Sequence, residues 1–228
     1  MSDLVIVRRA DWGARAPKVA EDHMALPVSN VYIHHSAGAT PLSVLAEQSE
    51  LRAEQNYHMD QNHWNDIGYS FSIGPSGRVY ECRAQMIGAH TEGHNSDGFG
   101  ICFQGTFIDH LPTPAAMTAC AQLIAQLHRV GAIAQLVIHG HRDVFATKCP
   151  GDTLYAALPS LRDLVRAYDN SIGVIVPDTT TTAKPDYKVA GAPVSIAVTP
   201  SGKGYYILCA DGGIITFGDA EFLGRVHQ

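Results

Sequence analysis

The chain has 228 residues, of which 46% are hydrophobic and 17% charged, a composition typical of a globular protein and not of a disordered one. Its formal net charge is −6, which argues against nucleic acid as a partner because DNA-binding surfaces are basic. No apolar run approaches the roughly 20 residues that a membrane span needs. The first residues lack the pattern of a secretory signal peptide. We therefore expect a protein made in the cytoplasm, with one good-sized domain and a small appendage.

Strand and helix patterns alternate from the start of the chain. A β-branched and aromatic run at 30–36 predicts a strand, and residues 41–58 predict a helix. Thr40 is the expected cap of this helix, and Pro41 lies in its first turn. Leu42, Leu45 and Leu51 form its expected apolar stripe. Segments 69–73 and 78–82 flank a Gly-Pro-Ser-Gly turn signal, so they predict a hairpin.

The alternation continues to residue 168. Residues 98–107 predict a buried strand interrupted by glycine, and 135–139 predict a short strand. Residues 113–130 predict a helix with Thr113 as its cap and Pro114 in the first turn, and 158–168 predict a last helix. Because strands and helices interleave, the pattern indicates an α/β fold with helices packed on a central sheet.

The composition changes after residue 168. Residues 169–188 are polar, with four consecutive threonines and two prolines, and predict a linker between a domain at 1–168 and a small β-rich module at 189–228. Within this module, segments 194–199 and 204–210 predict strands, and Asp211-Gly212-Gly213 predicts a hairpin turn. So short a segment has little core of its own. We expect this module to pack against the main domain or against copies of itself.

The cysteines are odd in number and have no CxxC pair. Cys102 and Cys120 lie in apolar runs, where a free cysteine behaves as a small core residue. The pattern favours a reduced compartment over a disulfide scaffold.

Histidines and one cysteine form a possible metal-binding set. His34 and His35 lie on the first predicted strand, His139 and His141 lie at the end of another, and Cys149 follows in a loop. Two imidazoles and one thiolate are a known zinc set that leaves a fourth position open for catalysis. Side chains alternate along a strand, so His34 and His35 cannot both face one metal, whereas His139 and His141 could share a face. The spacing alone does not choose between them.

Five short motifs occur in a fixed order: HHSAG at 34–38, NDIGYSF at 65–71, GAHTEGHN at 88–95, GICFQGTF at 100–107 and GHRDVFATKCPGD at 140–152. With the opening RRADWGARAP, they resemble the type 2 N-acetylmuramoyl-L-alanine amidases, which include phage endolysins and peptidoglycan recognition proteins. The resemblance covers roughly residues 5 to 168. It implies a central mixed β-sheet flanked by helices and one catalytic Zn²⁺. It also implies hydrolysis of the amide bond between N-acetylmuramic acid and L-alanine in peptidoglycan.

The resemblance also implies roles for individual residues. The family's zinc ligands fall on His34, His141 and Cys149, and its catalytic tyrosine falls on Tyr69. A second active-site position, two residues before the cysteine, is Thr147 here. Lys148 stands one place off and does not take the lysine role found in some phage members.

Other motif residues carry two interpretations each. His90, Asn95 and Trp64 match or lie near positions that line the peptide groove in recognition proteins, although Asn95 and Trp64 equally suit turn formation and core packing. Asp143 suits a structural role, or it could orient His141 as a supporting carboxylate. The stretch CRAQMI at 82–87 departs from recognition proteins where these select the stem peptide, which leaves that preference open.

The tail at 202–224 resembles a repeat with GYW, DGG and FGDA elements, found in tandem in actinobacterial and phage proteins. About one copy is present, and we expect it to bind cell wall or to mediate self-association. The whole pattern suits a phage endolysin that reaches the wall after release from the producing cell. The alternatives are a non-lytic peptidoglycan-binding module and a bacterial wall-recycling amidase.

Overall fold

A computed structural model describes residues 4–169, 193–198, 205–209 and 214–217. Its strands are β1 Ile6–Val7, β2 Val28–His35, β3 Phe71–Ile73, β4 Val79–Glu81, β5 Gly98–Phe103, β6 Ile133–Gly140, β7 Pro193–Val198, β8 Tyr205–Cys209 and β9 Ile214–Phe217. Its α-helices are α1 Arg9–Trp12, α2 Val44–Asn56, α3 Pro114–Arg129, α4 Asp152–Ala156 and α5 Leu158–Tyr168. A π-helical turn, Tyr57–Gln61, continues α2, and a 3₁₀ turn, His141–Asp143, follows β6.

A six-stranded mixed sheet in the order β1-β4-β3-β5-β2-β6 forms the centre of the main domain. Strand β2 runs parallel to both β5 and β6, while β3 and β4 form the predicted antiparallel pair. One buried cluster combines side chains of the central strands with those of α3 and α5. A smaller cluster lies under α1 and α2, around Trp12 and Leu51. The predicted mixed sheet with flanking helices is confirmed.

The structure corrects the prediction for the first long helix. Helix α2 begins at Val44, and its cap is Ser43, whose hydroxyl accepts from the Ala46 N–H at 3.2 Å. Thr40 and Pro41 precede it. Leu42 and Leu45 are 96% and 77% exposed, so of the predicted stripe only Leu51 is buried.

Polar residues replace the expected leucine stripe on the buried face of α2. Glu47 accepts hydrogen bonds from the backbone and hydroxyl of Ser76 and from the Tyr80 hydroxyl. Gln55 donates to the Asp66 carboxylate. These partners satisfy the polar groups that burial removes from water, which a hydrophobic pattern in the sequence cannot indicate.

The other two long helices agree with the sequence. Helix α3 is capped by Thr113, whose hydroxyl accepts from the Ala116 N–H at 3.1 Å, and Pro114 occupies its first turn. Its predicted apolar face is buried: Met117, Cys120, Leu123, Ile124 and Leu127. Helix α5 has the predicted bounds. Cys102 and Cys120 are buried and free, as expected for core cysteines. The helices of the described residues include none with the length and apolarity to cross a membrane.

The tail contains a separate three-stranded antiparallel sheet in the order β7-β8-β9. Strands β7 and β8 lie within one residue of the predicted segments. The Asp-Gly-Gly turn and nearly all of the predicted linker at 169–188 lie outside the described residues. The domain boundaries therefore remain predictions.

Candidate metal centre and active-site cleft

His34 and His141 lie side by side at the carboxyl ends of two neighbouring parallel strands. Ile33 of β2 is in register with Gly140 of β6, so the next residue of each strand reaches the same edge of the sheet. The two imidazole centroids are 4.5 Å apart. Gly140 is needed here, because a Cβ would lie 2.6 Å from the ring of Tyr155.

Cys149 reaches these histidines from the loop after the 3₁₀ turn. Its Sγ lies 3.7 Å from Nδ1 of His34. The potential ligand atoms of His34, His141 and Cys149 all lie within 4.8 Å of one another. Two imidazoles and one thiol are a donor set that suits zinc and leaves one coordination position free.

The two remaining histidines of the pairs point elsewhere. The ring of His35 faces Phe107, and its Nδ1 accepts a hydrogen bond from the Phe107 N–H at 3.4 Å. The His139 ring stacks on Tyr32, and its Nε2 lies 3.3 Å from Oδ1 of Asn30. Strand register thus makes the choice that spacing left open.

Arg142 holds the cysteine loop in place. Its backbone N–H and its Nε donate to the carbonyl of Cys149 at 3.2 and 3.3 Å, and another guanidinium N–H donates to the Lys148 carbonyl. Its Nη1 pairs with Asp152 at 2.6 Å, and the guanidinium lies 4.8 Å above the ring of Tyr155. No sequence pattern indicated a role for this arginine.

Asp143 supports the backbone at the end of β6. One carboxylate oxygen accepts from the Gly140 N–H at 2.7 Å, and the other accepts from the Tyr155 hydroxyl. Both oxygens are thus used by structural partners. This favours the structural interpretation over the orientation of His141.

Burial sets the protonation of the three potential ligands. Burial, followed by the proximity of His90 and His141, lowers the pKa of His34 well below its usual value, and burial also lowers the pKa of His141. Neutral imidazoles have the free lone pair that a metal requires. Burial raises the pKa of the Cys149 thiol to about 11. A divalent cation reverses this effect, because a coordinating thiol is deprotonated. The donors therefore fit zinc if the metal displaces the thiol proton.

A cleft of about 400 Å³ opens above this cluster. The predicted site residues that line it are His34, His141, Cys149, Tyr69, Thr147, His90 and Trp64. Asn95 lies outside this lining. Its side-chain oxygen accepts from the Thr91 N–H at 2.8 Å and its carbonyl accepts from the Gly88 N–H, so it stabilises the loop at 88–95.

Tyr69 lies beside the ligand cluster, with its ring centroid 5.4 Å from that of His34. Burial, followed by the proximity of Cys102 and Glu54, raises the pKa of its phenol well above the usual value. The phenol therefore stays protonated at neutral pH, and the side chains of Cys102 and Glu54 lie within hydrogen-bonding reach of it. Burial also raises the pKa of Glu54 to about 8. No sequence pattern indicated this glutamate, because a charged residue within a helix suggests a solvated face.

Thr147 and Trp64 both line the cleft. The Thr147 hydroxyl accepts from the Cys149 N–H at 3.2 Å, which leaves its own proton free to donate. The Trp64 ring packs 4.7 Å from His58, whose Nδ1 accepts from the Gly68 N–H at 3.1 Å. No sequence motif singled out His58.

His90 is more enclosed than a groove residue is expected to be. It is 6% exposed. A Cβ on Gly88 or Gly100 would come within 2.4 or 2.3 Å of its ring, so both glycines make room for it. Its Nδ1 lies 3.0 Å from the hydroxyl of Thr91, and that hydroxyl lies 3.3 Å from Nε2 of His34. Thr91 had no assigned role, although it follows His90 in the GAHT motif.

Comparison with known proteins places the chain in a family. The family model described as N-acetylmuramoyl-L-alanine amidase, Amidase_2, matches residues 24–152. The chain belongs to this amidase family. An N-acetylmuramoyl-L-alanine amidase of Homo sapiens is 36% identical over 174 residues, which are 74% of this chain and 29% of that protein. This chain thus spans less than a third of the human amidase.

Peptidoglycan recognition proteins are also similar to this chain. Peptidoglycan-recognition protein SD of Drosophila melanogaster is 37% identical over 161 residues, 68% of this chain and 85% of that protein. The structure of a Drosophila PGRP-LB mutant in complex with tracheal cytotoxin aligns with a TM-score of 0.66 at 37% identity. The alignment covers 68% of this chain and 93% of that one. Amidases and recognition proteins share the fold, so the residues of the site must distinguish hydrolysis from binding.

Proposed function

We propose that this chain is a zinc-dependent amidase that hydrolyses the bond between N-acetylmuramic acid and L-alanine in peptidoglycan. The approach of His34, His141 and Cys149 within 4.8 Å of one another carries the proposal. These three residues would hold the ion and leave one position open, as in catalytic zinc sites. When bound, zinc supplies an acidified water and polarises the scissile carbonyl.

The protein's own groups would orient the substrate and stabilise the developing charge. Tyr69 is a protonated phenol beside His34, suited to donate to an oxyanion. Thr147 has a hydroxyl proton left to donate to a substrate carbonyl. Arg142 keeps the cysteine loop fixed, so Cys149 is held in position before substrate binds.

Peptidoglycan binding without hydrolysis is the second candidate. Relatives named as recognition proteins favour it, as does PGRP-LB in complex with tracheal cytotoxin. The structure of peptidoglycan recognition protein LE also contains tracheal cytotoxin, a monomeric diaminopimelic acid-type peptidoglycan. Cys149 beside two histidines favours hydrolysis, because a site that only binds has no need of a thiolate ligand set.

For the biological setting, we propose a phage endolysin that reaches the wall after release. A wall-lytic domain followed by a short C-terminal module suits this setting, and a wall-recycling amidase is the alternative. We further propose that the module at 189–228 binds wall or mediates self-association, separated from the 1–168 domain by the 169–188 linker. Strands β7, β8 and β9 form a sheet of their own, which supports a distinct module in this part of the chain.

The test is to incubate purified protein with intact sacculi and to follow new amino termini and reducing sugars separately. An amidase releases N-terminal alanine with no new reducing sugar. The Cys149→Ala protein is expected to lose both bound zinc and amino-terminus release. Cys120→Ala is the matched control, because it removes a buried thiol of α3 outside the site. Binding to sacculi with no release by the unmodified protein would support the recognition module instead. Full activity of Cys149→Ala would exclude the proposed metal set.

A further inference from the structure

The ring of His34 has one nitrogen facing the other ligands and one facing the protein interior. Nδ1 lies 3.7 Å from the Cys149 sulfur, so it is the nitrogen available to a metal. Nε2 is on the opposite side of a ring that is 1% exposed. An imidazole bound through Nδ1 carries its proton on Nε2. A buried N–H without an acceptor costs about 1–3 kcal/mol, so this proton needs a partner.

The hydroxyl of Thr91 is positioned to be that partner. Its Oγ1 lies 3.3 Å from Nε2 of His34 and 3.0 Å from Nδ1 of His90. A hydroxyl can accept one hydrogen bond and donate another. The hydroxyl can therefore accept from Nε2 of His34 and donate to Nδ1 of His90.

The backbone around Thr91 fixes this hydroxyl in place. The Thr91 N–H donates to the Asn95 side chain at 2.8 Å, and its carbonyl accepts from the His94 N–H at 2.9 Å. Thr91 is 1% exposed, so bulk water does not compete for its hydroxyl. The ring of His90 is enclosed between Gly88 and Gly100, which prevents it from moving away.

We propose that Thr91, backed by His90, is a positioning residue that holds His34 in the tautomer and orientation required for binding zinc through Nδ1. The chain of contacts runs from His34 to Thr91 to His90. His90 then supports the metal centre through Thr91, in addition to any contact with substrate. The inference rests on the zinc site of the proposed function. Loss of such an outer partner typically weakens metal affinity about 10–100-fold.

Zinc affinity of the full chain, measured by competition with a chromogenic chelator, tests the proposal. Thr91→Val keeps the shape but removes the hydroxyl, and it is expected to weaken zinc binding about 10–100-fold. Thr91→Ser keeps the hydroxyl, so its zinc affinity is expected to stay within about threefold of that of the unmodified protein, well short of the 10–100-fold loss. Thr118→Val is the matched control, because the Thr118 hydroxyl has no hydrogen-bond partner among the described residues. Equal zinc affinity of folded Thr91→Val and the unmodified protein would overturn the proposal.

A second measurement separates this inference from the proposed function. Nitrogen-15 NMR of the unmodified protein without metal reports which ring nitrogen of His34 carries the proton. Protonation of Nε2, with a mixture of tautomers in Thr91→Val, is expected. Protonation of Nδ1 in the unmodified protein would overturn the inference even if zinc binds. Absence of zinc binding with Nε2 protonated would instead count against the proposed function alone.

Discussion

Burial of Tyr69 leads to a direct prediction about its role in the reaction. Its phenol stays protonated beside His34, since burial raises its pKa well above the usual value. Tyr69→Phe is therefore expected to retain zinc but to lower kcat about 10²–10³-fold, the loss typical of one oxyanion donor. Metal analysis and kinetics on a soluble muropeptide would measure the two effects. An unchanged kcat would remove the tyrosine from the reaction.

Single residues were predictable only where a motif identified them. The resemblance pointed to His34, His141 and Cys149, and the structure brings these three together. Thr91 and Arg142 were not predictable, because their importance depends on what approaches them in space. A threonine hydroxyl 3.3 Å from an imidazole and an arginine bonded to the carbonyl of the cysteine loop leave no periodic signal in the sequence.

Helix α3 is the element whose start is best specified by the sequence. The Thr113 hydroxyl accepts from the Ala116 N–H and donates to the Pro75 carbonyl. Thr113→Ala is expected to lower the free energy of unfolding by about 0.5–2 kcal/mol, as for other lost caps. Urea denaturation would measure this loss. Thr118→Ala in the same helix is the control and is expected to cost less. Equal losses for both variants would contradict a capping role.

Helix α2 shows where element-level prediction fails. An apolar stripe was expected, but the buried face carries Glu47 and Gln55 beside Leu51. These polar side chains are compatible with burial only because Ser76, Tyr80 and Asp66 meet them. Their partners are distant in sequence, so neither helical periodicity nor propensity reveals the inward face. Most strands were located better, because β-branched runs and glycine turns are local signals. The strand predicted at 98–107 is the exception, since β5 ends at Phe103.

The main domain buries several neutral histidines, which makes its stability depend on pH. Burial lowers the pKa of His58 to about 4 and that of His90 to about 3. The unfolded chain takes up these protons near pH 6.5, so the stabilisation is complete above that pH and is lost as pH falls toward 4. We expect the free energy of unfolding to fall over this window, by at most about 1.4 kcal/mol per pH unit for each such histidine.

Urea denaturation at several pH values in the presence of a chelator would measure this dependence without metal. His58→Gln removes one of the titrating groups, so its curve is expected to be shallower between pH 4 and 6.5. A curve as steep as that of the unmodified protein would show that His58 does not contribute to the pH dependence of stability.

At the scale of the whole chain, the sequence predicted the class of fold but not its arrangement. Interleaved strands and helices indicated a sheet covered by helices, which the mixed six-stranded sheet confirms. The order of its strands depends on long-range pairing, and no local pattern encodes it. The register of β2 against β6 is the decisive example, because it places His34 beside His141 and directs His139 toward Tyr32.

The potential ligands come from two kinds of structure: the histidines from the ends of neighbouring strands, and the cysteine from the loop held by Arg142. The sheet therefore offers a rigid pair of nitrogen donors, and the loop alone decides the softness and charge of the third donor. A carboxylate in place of the sulfur would shift the site toward harder ions while leaving the strands unchanged. Metal preference could thus be retuned, by selection or by engineering, through one short surface segment.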